Sequence, residues 1–577
     1  MVRPLRLALA QLNTVVGDVP GNEARIAELI ARAREAGAQL VCLPELAVTG
    51  YPPEDLLFKE HFLADARAAV DRLAAGTEGI VALVGFPERA ADVHNAAAVL
   101  VDGRVAGIYR KQSLPNYGVF DEVRYFQPGT RPAVIKVDGV TVGLTICEDI
   151  WQPGPPMTEE TLAGATVVVN LSASPFQAGK AAEREQMLAQ RARDNVACLA
   201  FCGLVGGQDE LVFDGHSVVF DHEGQVVARA PQFAEDLLVA TVDATAARAA
   251  RLRATRRRPA ARCAEPRVDQ LGTFAVLGDA GTPSLCPAGP VADLLDEESE
   301  VYAALVTGLR DYVGKNGFDH VVLGLSGGID STLVALVAVD ALGAERVTCA
   351  IMPSPHSSPG TRSDAHALAA NLGVQVLELR IEQLMDGYDA LLGGVFAEVE
   401  PDITEENLQA RIRGNLLMAL SNKFGWLVIT TGNKSEISVG YSTLYGDSAG
   451  GYAVIKDVPK LLVYRLVDRR AARDPRSPVP EEIVTRPPSA ELRADQRDED
   501  LLPPYEILDP ILEGYVENDL GREQLVARGL DADVVDRVIG LVDVAEYKRR
   551  QQPPGPRVTS RAFGRDRRVP ITNRYGG

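Results

Sequence analysis

The sequence predicts an α/β protein built from two layered domains in one chain. Three observations carry this. The chain has 577 residues, beyond the size at which a single hydrophobic core keeps growing. Over roughly the first 250 residues, short apolar runs alternate with helical patterns. After residue 296 the alternation starts again around a glycine-rich turn between a strand and a helix.

The elements follow in order. A strand is expected over residues 5–12 and an amphipathic helix over 22–36, ending at Gly37. A second strand covers 40–43, with Glu45 just beyond it. Strands over 79–85, 96–101, 140–147 and 165–171 continue the series. The pattern breaks between 246 and 288, where a basic run at 256–258 is followed by scattered Pro, Gly and Cys. This reads as a connector with at most partial order, and it sets domains at 1–250 and 296–577 with the connector at 251–295. A helix over 301–313 opens the second domain. A strand at 321–325, a glycine-rich turn, a helix at 332–342 and strands at 347–351 and 427–431 then predict a doubly wound parallel sheet. Such sheets bind ligands beyond the C-terminal ends of their strands. Residues 469–500, rich in Pro, Arg, Asp and Glu, read as a mobile excursion.

Composition narrows the function classes. Hydrophobic residues make up 46% and charged residues 24%, and the formal net charge is -20. That charge argues against nucleic acid and anionic membrane as general partners. The longest apolar run, 332–342, is short and contains Asp340, so no membrane span is expected. The apolar stretch at 5–10 is too short for a secretory signal, which makes the cytoplasm the expected location. Seven cysteines in 577 residues form no disulfide framework. Cys42, Cys198, Cys202 and Cys349 sit in apolar, strand-like surroundings and are expected to be buried. Cys263 and Cys286 carry no signal, and no cysteine and histidine cluster suggests zinc.

Three segments of the first domain carry chemistry. Cys147 ends an apolar strand and is followed by Glu148, Asp149, Ile150 and Trp151. A nucleophile there is presented on a sharp turn. Glu45 stands in Leu-Pro-Glu-Leu after another strand, and Lys111 in Tyr-Arg-Lys-Gln-Ser-Leu-Pro after a third. A carboxylate can take the thiol proton, while a cation lowers the thiol pKa and meets a tetrahedral oxyanion. In the second domain, Gly-Leu-Ser-Gly-Gly-Ile-Asp-Ser (324–331) joins a strand to a helix. Small residues let backbone amides at a helix N-terminus approach a phosphate. The run lacks the Gly-Lys-Ser/Thr ending of a P-loop. Asp330 is a sensible place for a magnesium ligand beside substrate phosphates, and Glu436 in Thr-Gly-Asn-Lys-Ser-Glu is the second candidate, with simple helix capping by Asn433 and Glu436 as the alternative.

The first domain, on these three segments and the Gly-Tyr-Pro-Pro-Glu-Asp-Leu run at 50–56, resembles the nitrilase superfamily, an α/β sandwich fold. The resemblance implies Glu45 as general base, Lys111 as oxyanion stabiliser, Cys147 as nucleophile and Glu122 as a second glutamate beside them. It implies glutamine contacts at Tyr117, Ser174 and Lys180. Ser172 has a loop-bonding role as a near-equal alternative. The second domain's loop resembles the ATP pyrophosphatase family, with an adenine nucleotide α-hydrolase-like fold. Glu406-Asn-Leu-Gln-Ala-Arg-Ile-Arg-Gly-Asn415, Tyr445-Gly-Asp-Ser-Ala-Gly-Gly451, Lys456-Asp-Val-Pro-Lys460 and the C-terminal basic segments resemble the NAD synthetases.

Taken over nearly the whole chain, the match is to the bacterial glutamine-dependent NAD synthetases. It implies ATP contacts at Gly324, Leu325, Ser326, Gly327, Gly328, Ile329, Asp330, Ser331 and Thr431. It implies deamido-NAD contacts at Asn407, Glu436, Tyr441, Ser442, Thr443, Leu444 and Lys548, and magnesium on Asp330 and Glu436. Lys456 is a further candidate phosphate contact, and His356 stands where a tyrosine is more usual. The implied substrates are glutamine, ATP and deamido-NAD, with ammonia carried between the sites by an internal passage. The implied assembly is a homo-oligomer, up to an octamer.

Overall fold

The computed structural model describes residues 4–255, 267–276, 289–475, 478–489, 491–493 and 496–575. The basic run at 256–258, Cys263 and Cys286 lie outside these. The chain divides into two compact units. One comprises Met1–Gln208 and Val212–Asp296, the other Asp209–Leu211 and Glu297–Gly577.

In the first unit, two mixed sheets share one core. The six-stranded sheet runs, in spatial order, Asp236–Val242, Leu5–Gln11, Leu40–Cys42, Val81–Arg89, Val93–Val101 and Arg104–Arg110. The seven-stranded sheet runs Val226–Arg229, Val218–Phe220, Cys198–Gly203, Val167–Ser172, Val140–Ile146, Ala133–Val137 and Asp269–Phe274. Their inward rows are Val, Leu, Ile and Ala, with Leu7, Leu9, Val99, Ile135, Leu144 and Val169 fully buried in one cluster. Parallel neighbours buried on both faces read as near-continuous apolar runs, which is the α/β sandwich expected. Cys42, Cys198, Cys202 and Cys349 are buried free thiols.

The stretch read as a connector carries some regular structure where it is described. Ala244–Arg253 is a helix capped by Asp243, and Asp269–Phe274 adds a parallel edge strand beside Ala133–Val137. Leu271 and Phe274 anchor that strand in the core of the first unit. Backbone pairing with Ala133–Val137 and the Arg131–Asp269 ion pair hold it together with these two apolar anchors.

The second unit is built on five parallel strands in the order Gln375–Glu378, Val347–Ile351, Val321–Gly324, Leu427–Thr430 and Tyr452–Ala453. Helix Ile329–Leu342 begins three residues before the apolar run predicts. Its first turn lies in the glycine-rich loop. The stretch 469–500 is not a free excursion where it is described. Helix Lys460–Arg473 carries its start, Ile483 and Asp498 are buried, and Arg486 pairs with Asp364. Glu491 accepts the Thr361 hydroxyl at 2.9 Å, and Gln409 donates to the Leu492 carbonyl at 2.8 Å. Its charges find partners on helices Pro359–Leu372 and Ile403–Phe424, which composition could not show. No helix among the described residues is long and apolar enough to cross a membrane.

Candidate active sites

In the first unit, Glu45, Lys111 and Cys147 all follow the C-terminal ends of strands, and the sandwich brings them together. Lys111 Nζ lies 2.6 Å from Glu45 Oε1 and 2.8 Å from both oxygens of Glu122. Glu45 is held from two further sides. Asn95 Nδ2 donates to its Oε1 at 2.7 Å and the Ala173 amide to its Oε2 at 2.9 Å. Tyr51 donates its hydroxyl to Glu122 at 2.9 Å. Glu45, Lys111, Glu122 and Cys147 are all at most 4% exposed. Cys147 adopts φ +41°, a strained backbone for a residue with a side chain, of the kind that clusters at functional turns.

Burial sets the electrostatics. It would lower the Lys111 pKa, but the Glu122 and Glu45 charges outweigh it and keep the ammonium well above its ordinary range. Burial also raises Glu122 to about 7, against the pull of Lys111. Burial and then the Glu45 charge push the Cys147 thiol up, with Lys111 pulling it down. Cys147 therefore rests as a neutral thiol beside Glu45 and Lys111.

Asp149 carries no sequence signal of its own beyond standing in the run after Cys147. Its Oδ1 accepts the amides of Gln112 and Ser113 at 3.0 and 2.8 Å, and its Oδ2 accepts Tyr109 Oη–H at 2.7 Å and the Ile146 amide at 3.0 Å. One buried carboxylate thus staples the Lys111 loop to the Cys147 turn. Tyr117 and Lys180 converge on the short helix Glu148–Trp151. Tyr117 donates to Glu148 at 2.9 Å, and Lys180 Nζ lies 5.5 Å from the Trp151 ring centroid. Ser174 is buried in the stretch just past Ala173.

In the second unit, residues 324–331 form the floor of a cavity of about 310 Å³. Gly327 has φ +84°, and a Cβ there would sit 2.2 Å from the Thr361 carbonyl oxygen, so only glycine fits. Ser326 Oγ lies 3.1 Å from Ser331 Oγ and accepts the Gly328 amide at 3.2 Å, closing the turn. Lys460 Nζ bridges Asp330 at 2.5 Å and Glu436 at 3.3 Å, and Asn433 donates to Asp330 at 2.8 Å. Lys460 closes the Lys-Asp-Val-Pro-Lys motif, where nothing in the sequence marks it out from Lys456. Lys456 instead directs its ammonium to the Pro553 carbonyl and does not line the cavity.

Of the residues expected at the dinucleotide, Glu436, Tyr441 and Thr443 line this cavity with Thr431, while Asn407, Ser442, Leu444 and Lys548 do not. Asn407 accepts the Thr443 hydroxyl at 2.7 Å, and Lys548 holds the Gly440 and Ser442 carbonyls, each at 2.7 Å. These residues shape the wall from behind. His356 lines a separate cavity of about 590 Å³ with Asp402, Glu406 and Arg493. Lys434, just before Glu436, is 3% exposed. It pairs with Asp457 at 3.1 Å and Glu517 at 2.8 Å, and donates to Thr559 Oγ at 2.7 Å and the Arg561 carbonyl at 3.1 Å.

Whether Asp330 and Glu436 suit magnesium can be judged from their charge. Burial raises Glu436 to about 8, Lys460 opposes this, and Asp330 and Asp498 add to it. Asp330, Glu436 and Asp498 thus crowd around one lysine, Lys460, at this end of a cavity that Arg362, Arg413 and Arg486 also line. Magnesium is commonly held by one or two carboxylates with substrate phosphates completing the shell, so the pair fits. No group of three or more His, Cys, Asp or Glu that could hold a metal occurs among the described residues.

Comparison with known proteins matches each half of the chain to a family. Residues 6–252 match the carbon-nitrogen hydrolase family and residues 301–553 the NAD synthase family. The chain is 47% identical over 578 residues to a glutamine-dependent NAD(+) synthetase of Thermotoga maritima, covering 100% of this chain and 99% of that one. It is 46% identical over 573 residues to one of Aquifex aeolicus, covering 99% and 100%. The solved glutamine-dependent NAD+ synthetase of Acinetobacter baumannii, in complex with ADP, superposes with a TM-score of 0.75 at 39% identity, covering 99% of each chain. That of Cytophaga hutchinsonii gives 0.81 at 24% identity, covering 99% and 98%, and is alike in fold.

Proposed function

The chain belongs to the glutamine-dependent NAD(+) synthetases, and we propose on that premise how its two sites divide the work. The Cys147 site releases ammonia from glutamine. The site around Asp330 and Glu436 uses ATP to amidate deamido-NAD, giving NAD, AMP and pyrophosphate. The observation that carries the reading is the buried set of Glu45, Lys111 and Cys147, with Lys111 locked 2.6 Å from Glu45.

In the first half-reaction the Cys147 sulfur attacks the side-chain amide carbon of glutamine as Glu45 takes the thiol proton. A thiol this buried gives up its proton in concert with attack rather than in advance. The oxyanion forms beside the Lys111 ammonium, which Glu122 and Tyr51 keep in place. Glu45 returns the proton to the departing nitrogen, ammonia leaves, and a thioester remains. Water, deprotonated by Glu45, releases glutamate and regenerates the thiol. Tyr117, Ser174 and Lys180 are assigned to the amino-acid end of glutamine. The convergence of Tyr117 and Lys180 beside Cys147 supports this.

In the second half-reaction the deamido-NAD carboxylate attacks the α-phosphorus of ATP and pyrophosphate leaves. Ammonia then attacks the acyl adenylate, loses a proton and expels AMP. The amides of 324–331 receive phosphate at the helix N-terminus. Lys460 is free to exchange its carboxylate partners for phosphate oxygens. Asp330 and Glu436 would hold magnesium, whose charge when bound offsets that of the phosphates. Asn407, Tyr441, Ser442, Thr443, Leu444 and Lys548 are assigned to deamido-NAD, directly or through the wall they support. We place the enzyme in the cytoplasm as a homo-oligomer. The exposed apolar row Leu384, Tyr388, Leu391 and Val395 on helix Glu382–Phe396 supports assembly of several copies.

The test compares wild type and Cys147→Ala in NAD formation from glutamine or from ammonium. The variant should fail with glutamine and keep ammonium-fed activity. Continued use of glutamine would refute the assignment of Cys147.

A further inference from the structure

Strands Val140–Ile146 and Val167–Ser172 pair in parallel with Ile146 opposite Leu171, and the Cys147 amide donates to the Leu171 carbonyl at 2.8 Å. The next step in that register sets Cys147 beside Ser172, about 5 Å away across neighbouring strands. Ser172 is fully buried. Its backbone carbonyl is used by the Leu204 amide, but its hydroxyl has no hydrogen-bond partner among the described residues. Buried hydroxyls are rarely left so, and an unmade bond of this kind costs stability unless another state of the molecule uses it. The ionisable group this hydroxyl acts on is the Cys147 thiol, whose ionised form it favours. The residue after it, Ala173, gives its amide to Glu45. The end of one strand therefore serves the base and faces the nucleophile.

We propose that Ser172 is a further catalytic residue of the amide-hydrolysing site, donating its hydroxyl to the Cys147 sulfur whenever that sulfur carries negative charge. The inference rests on Cys147 being the nucleophile. Sulfur is negative at two moments: as Glu45 removes the thiol proton, and as water expels the thiolate from the thioester. In both, the Ser172 proton stays on its oxygen and only a hydrogen bond forms, so no atom is transferred. At rest the sulfur is a neutral thiol and a weak acceptor, which explains why the hydroxyl is unpartnered in this state. Lys111 is the neighbouring cation, but its nitrogen is already shared between Glu45 and Glu122. A neutral donor on the opposite strand complements it.

The test is the pH dependence of Cys147 alkylation by iodoacetamide, followed on the Cys147 peptide by mass spectrometry. It is run for wild type, Ser172→Ala and Ser172→Thr in the full chain. One hydrogen bond to a charged group corresponds to about one pKa unit or more, so Ser172→Ala should show about a tenfold lower alkylation rate at neutral pH. Its glutaminase kcat/KM at neutral pH should fall by a similar factor, and threonine, which keeps the hydroxyl, should restore both. Ammonium-fed NAD formation and the melting temperature report whether the variants are folded. Equal alkylation in wild type and Ser172→Ala would overturn the proposal. So would equal loss in the alanine and threonine variants, which would trace the effect to packing. Glutaminase activity surviving in Cys147→Ala would instead refute the nucleophile assignment beneath it.

Discussion

Replacing Asp149 by asparagine changes one oxygen into an amide nitrogen, and the bonds around that oxygen set the cost. Asp149 is fully buried and accepts four hydrogen bonds, two at each oxygen. The orientation of asparagine that costs least keeps its oxygen on the Gln112 and Ser113 amides. Its NH2 group then meets the Ile146 N–H, donor against donor, while the Tyr109 hydroxyl can rotate to accept. One buried amide left unpaired costs about 1–3 kcal/mol, and the two surviving bonds lose their charge assistance, about 1 kcal/mol more. Removing a carboxylate that burial disfavours gives part of this back. The net is about 2–3 kcal/mol, or a fall of roughly 5–10 °C in the melting temperature of a domain this size. The loop that carries Lys111 loses its tie to the Cys147 turn, and a displacement near 1 Å costs about 10²-fold in rate. Scanning calorimetry and glutaminase kcat, with ammonium-fed NAD formation as the control, make the measurement. A variant that melts within about 1 °C of wild type and hydrolyses glutamine normally would refute the claim that Asp149 positions Lys111.

Two further predictions rest on single residues. Glu122, raised by burial from the ordinary 4.5 to about 7, stabilises the fold below pH 4.5, and that contribution is lost as pH rises through 7. Glu122→Gln, neutral throughout, should therefore gain on wild type in melting temperature between pH 5 and pH 8, and an unchanged or reversed gap would contradict this. Gly327→Ala places a methyl 2.2 Å from the Thr361 carbonyl oxygen on a left-handed backbone. It should lower ATP–pyrophosphate exchange by about 10²-fold while leaving glutaminase intact, and normal exchange would show that the loop yields.

Much of the fold and of both sites was legible in the sequence, for physical reasons. Glu45, Lys111 and Cys147 each stand within three residues of a strand's end, where a side chain can turn into a pocket. The loop at 324–331 announces itself because a strand, three glycines and a helix leave few conformations open. What was hidden depended on partners distant in sequence. Asp149 sits in plain view after Cys147, but its role requires the loop at 112–113. Lys460 is one lysine of two in a short motif, and only folding decides that its ammonium, rather than that of Lys456, reaches Asp330. Glu491 and Arg486 belong to a stretch whose composition suggests a mobile excursion, yet helix Pro359–Leu372 supplies Thr361 and Asp364 to meet them. The strand Asp269–Phe274 is too short and too isolated to stand out without the sheet edge it completes.

The anchoring of Lys434 by Thr559 and Arg561 has a consequence for how the chain is born. Ribosomes build from the N-terminus, at about 5–20 residues per second, and domains close as units once their residues exist. By Asp296 the first unit has almost all of its strands and the whole set around Cys147. The helix bearing Glu436 waits for Thr559 and Arg561, about 265 residues and roughly 13–53 s later. For that interval every nascent copy carries a finished ammonia source and, on the same chain, no finished consumer.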